Sequence, residues 1–159
     1  MPRRKLRIKK MTSPDPVHGS VLVERLINRS MRDGKKSIAQ AQVYRALDIV
    51  AQKVKENGVK VLEKALDNIR PVMEVRPRRI GGAAYQVPMQ VRGPRRESLG
   101  VRWLITSARL RSNSDYHTYA EKLAAEIMEA ANGEGPAVKK KQDMERMAEA
   151  NRAFAHFNW

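Results

Sequence analysis

The residues of this sequence best suited to chemistry are its arginines. Residues 76 to 92 read RPRRIGGAAYQVPMQVR, a strand-like alternation broken by Gly81-Gly82, with Arg76, Arg78 and Arg79 crowded at one end and Arg92 at the other. A guanidinium is planar and always charged, and its fork of donors fits the oxygens of a phosphate or carboxylate in pairs. A hairpin built only for burial has no use for so many. The following segment repeats the pattern: Arg95, Arg102 and Arg109 recur every seven residues and so share a helical face, flanked by Arg96 and Arg111.

Chemistry of the catalytic kind finds no comparable support. His18, His117 and His156 lie in different segments without metal-ligand spacing and read as surface or capping residues. The phosphate-loop, dinucleotide-binding and nucleophile-elbow patterns are missing. Gly81-Gly82 stands between two strands rather than between strand and helix, which is turn chemistry and not a nucleotide cradle. Glu63 with Asp67, and Glu145 with Glu149, sit four apart on helices, but without histidines they describe a solvated face. The expectation is a protein that is not an enzyme and takes no cofactor and no metal.

Composition points the same way. The chain has 159 residues, 42% of them hydrophobic and 31% charged, and 32 Lys and Arg against 17 Asp and Glu leave a net charge of +15. One domain of this size can bury roughly 70% of its unfolded surface. So large an excess of positive charge attracts polyanions, and nucleic acid is the leading partner class. A membrane surface is the competing polyanion, but no stretch has the roughly 20 apolar residues of a span and the start does not resemble a signal peptide. Zero cysteines exclude disulfides and thiolate metal sites. The chain reads as cytoplasmic, with no membrane partner.

The elements that must position the arginines follow from periodicity and punctuation. Residues 1–14 form a basic arm carrying Arg3, Arg4, Lys9 and Lys10, and TSPDPVHGS is non-helical punctuation. A short helix then places Leu22, Leu26 and Ile27 on one face, ending at Gly34. A second, from about Lys36 to Asn57, carries the stripe Ile38, Ala41, Tyr44, Leu47, Val50 and Val54, with Asn57-Gly58 as its stop. A third turns Leu62, Leu66 and Ile69 inward and closes at Pro71. A ribbon occupies 72–92, with strands 72–77 and 85–91. Pro77 and Pro88 mark both as edge strands, and the ribbon is expected to project from the helical body.

A fourth helix runs from Pro94 to about Ser112, offering Leu99, Trp103 or Leu104, Ala108 and Leu110 for burial. SNSD caps a fifth, which turns Tyr116, Tyr119 or Ala120, Leu123, Ile127 and Ala130 inward. A sixth starts near Pro136 and carries Met144, Met147 and Ala148, leaving 151–159 as a tail. The fold class is mainly α: a single-domain bundle of about six helices with a two-stranded β-ribbon between the third and fourth.

Helix starts supply a second line of argument. Cations are disfavoured at the positive end of a helix dipole, yet Lys35-Lys36, Arg95-Arg96 and Lys139-Lys140-Lys141 all stand there. A bound phosphate would turn each conflict into a site. No helix-turn-helix, zinc-finger or zipper spacing suggests duplex DNA, and an architectural DNA-binding protein is the alternative. Cations scattered over a ribbon, an arm and helix ends suit a folded RNA, whose phosphates face many directions.

At this point PDPVHGS, DGKKSIAQ, NIRPVMEVRPRRIGGAAYQVPMQVR, RWLITSARLR, AVKKKQD and RMAEANRAFAHF, in this order, resemble bacterial-type ribosomal protein seven of the small subunit over nearly the whole chain. The resemblance implies six helices and an extended ribbon between the third and fourth. It also implies primary binding to the 3′ major domain of small-subunit rRNA, nucleating assembly of the head. The ribbon would approach the exit-site tRNA, with mRNA nearby, and other small-subunit proteins, including protein eleven, would be neighbours. Carried onto this chain, the RNA-facing residues are Arg3, Arg4, Lys9, Lys10, Lys35, Lys36, Arg76, Arg78, Arg79 and the fourth-helix arginines, and Arg92 is added from the arginines crowded around the hairpin. Lys139, Lys140 and Lys141 join them from the helix-start argument.

Overall fold

The computed structural model describes residues 12–157, so the basic arm at Arg3, Arg4, Lys9 and Lys10 lies outside the described residues. Six α-helices are α1 (Val21–Ser30), α2 (Lys36–Val54), α3 (Gly58–Ile69), α4 (Pro94–Leu110), α5 (Tyr119–Ala131) and α6 (Pro136–Ala150). Strands β1 (Met73–Ile80) and β2 (Ala83–Gln90) lie between α3 and α4, and a 3-10 segment, Arg152–Phe157, follows α6. The mainly helical class with one antiparallel ribbon is as the sequence reads.

Helix α5 is the hub. Its sequence YAEKLAAEIMEAA is buried nearly all round: Lys122 through Ile127 are all buried, the charged Lys122 and Glu126 included, and it packs on α2, α3 and α4. The apolar arc fits a central helix, and the buried charges are paired or hydrogen-bonded. Its start differs from the SNSD expectation. Thr118 is the cap, accepting from the Glu121 N–H, while the Glu121 carboxylate accepts from the His117 and Thr118 N–H groups, a reciprocal capping box. Tyr116 therefore precedes the helix.

Helix α2 buries Ala39, Val43, Ala46, Leu47 and Val50. The stripe is rotated from the one expected: Ile38 is 59% and Val54 39% exposed, and Ala41 faces solvent. The buried face runs through the small Ala39 and Ala46 as well as Leu47 and Val50, and the bulky Ile38 is turned out. The α2–α3 junction also differs. Lys55, left-handed at φ 59°, ends α2, while Asn57 caps α3, its Oδ1 accepting from the Val59 N–H at 2.9 Å. In α3, Leu62, Leu66 and Ile69 are buried as expected. In α4, Leu99, Leu104 and Ala108 turn inward but Leu110 is 75% exposed. In α6, Ala137, Val138 and Ala148 are buried while Met147 is exposed.

Two glycines at helix contacts give opposite expectations. A Cβ on Gly58 would stand 2.6 Å from the Leu47 carbonyl oxygen, where the start of α3 crosses α2. A Cβ on the buried Gly100 of α4 would meet only Arg70 Cγ at 3.5 Å and Leu66 Cδ2 at 3.6 Å, ordinary contacts. Gly58→Ala should cost about 1–3 kcal/mol by overpacking. Gly100→Ala should gain about 0.5–1 kcal/mol, the helix-interior advantage of Ala. Thermal melts of the two variants check this, and equal signs would contradict the packing described.

The ribbon register pairs Met73 with Gln90 through Ile80 with Ala83, so the turn is only Gly81-Gly82, with φ of 56° and 89°. Positive φ at both central residues is the type I′ pattern, whose twist matches the strands. The strands are thus longer than read from sequence, and both prolines lie within them, Pro77 opposite Gln86 and Pro88 opposite Val75. Two strands leave each with an open edge, which accommodates residues lacking an N–H. The tip is exposed, but the base is not a free projection. Val87 and Val91 are buried, and α6 and the 3-10 segment pack against the strands.

The PDPVHGS punctuation is more than a loop. Asp15, 1% exposed, accepts the Tyr44 hydroxyl at 2.6 Å on Oδ1 and the His18 and Val17 N–H groups at 2.9 and 3.2 Å on Oδ2. Burial alone would raise the Asp15 pKa, but the Tyr44 hydroxyl and the two N–H groups outweigh it and hold it below the usual carboxylate value. A depressed folded-state pKa gives stability that is present above the unfolded value of about 4 and is lost as pH falls through the folded one. Asp15→Asn should therefore cost about 1–3 kcal/mol at neutral pH, with the gap to the native chain narrowing below about pH 4. Urea melts at pH 7 and pH 3 measure it. A gap that stays constant would remove the carboxylate as its source.

Candidate nucleic-acid interface

The sequence-selected cations divide into those held by the protein and those it leaves exposed. Arg76 and Arg95 converge on one buried carboxylate, Glu74, with Arg76 Nη2 at 2.5 Å and Arg95 Nε at 2.8 Å from Oε1. Together they tie the base of β1 to the first turn of α4. Arg78 donates to the Phe157 carbonyl at 3.3 Å. Lys36 pairs with Glu24 at 2.5 Å, and Lys141 donates to the Asn68 carbonyl at 3.0 Å.

Arg111 is held most firmly. Its side chain is 11% exposed and meets the fully buried Glu126 and the partly exposed Glu129, donating to Glu126 Oε2 at 2.8 Å and Glu129 Oε1 at 2.9 Å. Burial works against its charge, but the Glu129 and Glu126 carboxylates outweigh that and raise its pKa above the usual arginine value. Glu126 also accepts the Ala137 N–H at 3.0 Å, so one carboxylate joins α4, α5 and the start of α6.

That bond bears on the helix-start argument at α6: one carboxylate already accepts the Ala137 N–H beside Lys139-Lys140-Lys141. At α4 the first turn contains Glu97, itself paired with Arg25. The starts of α2 and α6 both lack an acidic residue in the first turn and a cap from the N-cap side chain, but α6 receives the Glu126 carboxylate from α5.

Arg79, Arg92, Arg96 and Arg102 are exposed, and their side chains have no ion pair or hydrogen bond to the described residues. Lys35 and Lys139 are likewise exposed, and Lys140 is half-buried. The seven-residue repeat on α4 does not keep a single face. A straight helix drifts about 20° per heptad, so the third member, Arg109, has turned toward α1. There it is half-buried and donates to the Ser30 carbonyl at 3.0 Å, capping the end of α1. Lys122 does the same for α4, donating to the Arg111 carbonyl at 2.6 Å. Cations at these negative helix ends satisfy carbonyls that the helices leave open.

Further cations were legible but unused in the sequence reading. Arg25 and Arg29 stand four apart on α1 and line a cleft with Pro94, Glu97 and Ser98 of α4. Thr12, the first described residue, lines the same cleft. Arg32 lines a second cleft with Arg109, His117, Tyr119 and Lys122 at the other end of the α1–α4 seam. The four-residue spacing of Arg25 and Arg29 on α1 was the available signal.

The arrangement suits phosphates spread over a folded backbone. Unpaired guanidiniums stand on the ribbon's outer face, at its base and along α4, and clefts lined by cations run beside them. Among the described residues no cluster of three or more His, Asp or Glu could hold a metal, and no helix is long and apolar enough to cross a membrane.

Comparison with known proteins shows the family. The family model for "Ribosomal protein S7p/S5e" matches residues 2–152. The chain is 58% identical to the small ribosomal subunit protein uS7 of Caldicellulosiruptor saccharolyticus and 55% identical to that of Carboxydothermus hydrogenoformans, covering 100% of both chains in each case. It is 53% identical to that of Thermosipho melanesiensis, again over 100% of both. On a match that spans nearly every residue, the chain belongs to the ribosomal protein S7p/S5e family.

Proposed function

We propose that this protein is a structural, RNA-binding component of the small ribosomal subunit. It binds the 3′ major domain of small-subunit rRNA as a primary binder and nucleates assembly of the head. Its ribbon reaches toward the exit-site tRNA and the mRNA, and neighbouring small-subunit proteins, protein eleven among them, pack beside it. The observation that carries this reading is the set of exposed side chains at Arg79, Arg92, Arg96 and Arg102, which lack protein partners among the described residues. Four desolvatable guanidiniums on a ribbon and one adjoining helix are a net cost in self-repulsion unless an anion is bound there.

In this reading Lys35, Lys139, Lys140 and the α1 arginines extend the interface. Arg76, Arg95, Arg109 and Arg111 mainly hold the scaffold that presents it, and Arg3, Arg4, Lys9 and Lys10 of the arm add charge. The test compares binding of the full chain to a 3′ major domain rRNA fragment and to duplex DNA of equal length. Preference for the RNA by about a thousandfold is expected, the low end of the usual gap between specific and non-specific binding. Equal affinity for both would favour the architectural DNA-binding alternative.

A further inference from the structure

We propose that the 3-10 segment Arg152–Phe157 positions the ribbon, and that Tyr85, Phe154 and Phe157 are its positioning residues. The proposal rests on the reading of the ribbon as an RNA contact. A two-stranded ribbon is marginal by itself, and nothing in its ladder fixes its angle to a helical body. Some contact beyond the strands must set that angle.

The register provides it. Glu74, Arg76 and Arg78 alternate onto one face of β1, where Arg76 stands opposite Val87 and Arg78 opposite Tyr85. On that face the Tyr85 ring meets Phe154 at 5.3 Å and Phe157 at 5.6 Å, centroid to centroid, within the range of favourable aromatic pairs. The Phe157 carbonyl also accepts from Arg78. The ribbon is thus gripped twice on the same face, at its base through Glu74 with Arg76 and Arg95, and further out through the aromatic cluster. On the other face the outer part, with Pro77, Arg79 and Gln86, is left outward, while Pro88 nearer the base is buried. The cluster decides which arginine face the ribbon presents and at what angle.

A plain packing role would make these rings part of the core. They are not: no residue of the 3-10 segment is buried, and none belongs to the core cluster formed by the six helices. Their removal acts on the ribbon rather than on the bundle.

The chain has no native cysteine, so Ala83→Cys at the ribbon tip and Lys60→Cys on α3 accept a spin-label pair in the full-length protein. Phe154→Ala/Phe157→Ala is expected to broaden the measured distance distribution while the cooperative melt of the bundle remains. A ribbon that spends a tenth of its time aligned binds about tenfold more weakly. Affinity for the rRNA fragment should fall by that factor, with an unchanged salt slope because no charge is lost. Phe154→Tyr/Phe157→Tyr should restore both readings. An unchanged distance distribution, or a lost cooperative melt, overturns the proposal. A broadened distribution with unchanged affinity also overturns it, and Arg79→Gln then locates the fault. If that variant weakens binding, the ribbon touches RNA without needing to be positioned; if it does not, the ribbon reading itself fails.

Discussion

Arg111→Met is expected to lower the stability of the isolated protein by about 3–5 kcal/mol, the usual consequence of removing one partner of a buried ion pair. The carboxylate left behind, Glu126, is fully buried and keeps only the Ala137 N–H. The loss is a large share of the roughly 5–15 kcal/mol by which a domain is stable. It corresponds to a fall in Tm on the order of 10 °C for a chain of this length. Adding Glu126→Gln should recover part of it, because the amide oxygen still accepts from Ala137 while the stranded charge is gone. Chemical denaturation of the single and double variants measures the coupling. Should Arg111→Met instead weaken RNA binding with its melt unchanged, Arg111 faces RNA and the scaffold role assigned to it is wrong.

Arg111 also shows where sequence reading stops. In RWLITSARLR it looks like its neighbours, a flanking member of a basic face. Its partners lie 15 and 18 residues away on the next helix, and the helix they stabilise begins later still. No local pattern encodes that convergence. Arg109 was hidden differently: the seven-residue spacing is visible, but its angular drift matters only once α1 is known to lie beside α4. By contrast Arg79, Arg92, Arg96 and Arg102 were legible, because exposure is the default for arginine and none has a nearby carboxylate in register.

The fold was legible where apolar residues are large and their spacing unambiguous. Leu62, Leu66 and Ile69, followed by Pro71, leave one choice for the face and end of α3. Helix α2 misled because its bulky Ile38 and Val54 suggested a stripe, while the buried face is Ala39, Val43, Ala46, Leu47 and Val50. Side-chain size alone predicts burial poorly there. The ribbon's turn was read too wide because Arg78, Arg79 and Ile80 looked like loop residues, yet the glycine pair alone completes the reversal.

The electrostatic account of the interface is tested most directly by the salt dependence of binding to the 3′ major domain rRNA fragment. If about six phosphates are neutralised, affinity should fall on the order of a thousandfold between 50 and 200 mM salt. Replacing Arg79, Arg92, Arg96 and Arg102 by Gln should reduce that fall to on the order of tenfold, since about four contacts are lost. The melt should not fall, because these side chains hold nothing within the described residues and their removal relieves self-repulsion. A steep dependence in the native chain that flattens in the quadruple variant is the predicted result. A slope that is flat in the native chain, or equally steep in both, would contradict the claim that these four arginines bind the RNA backbone.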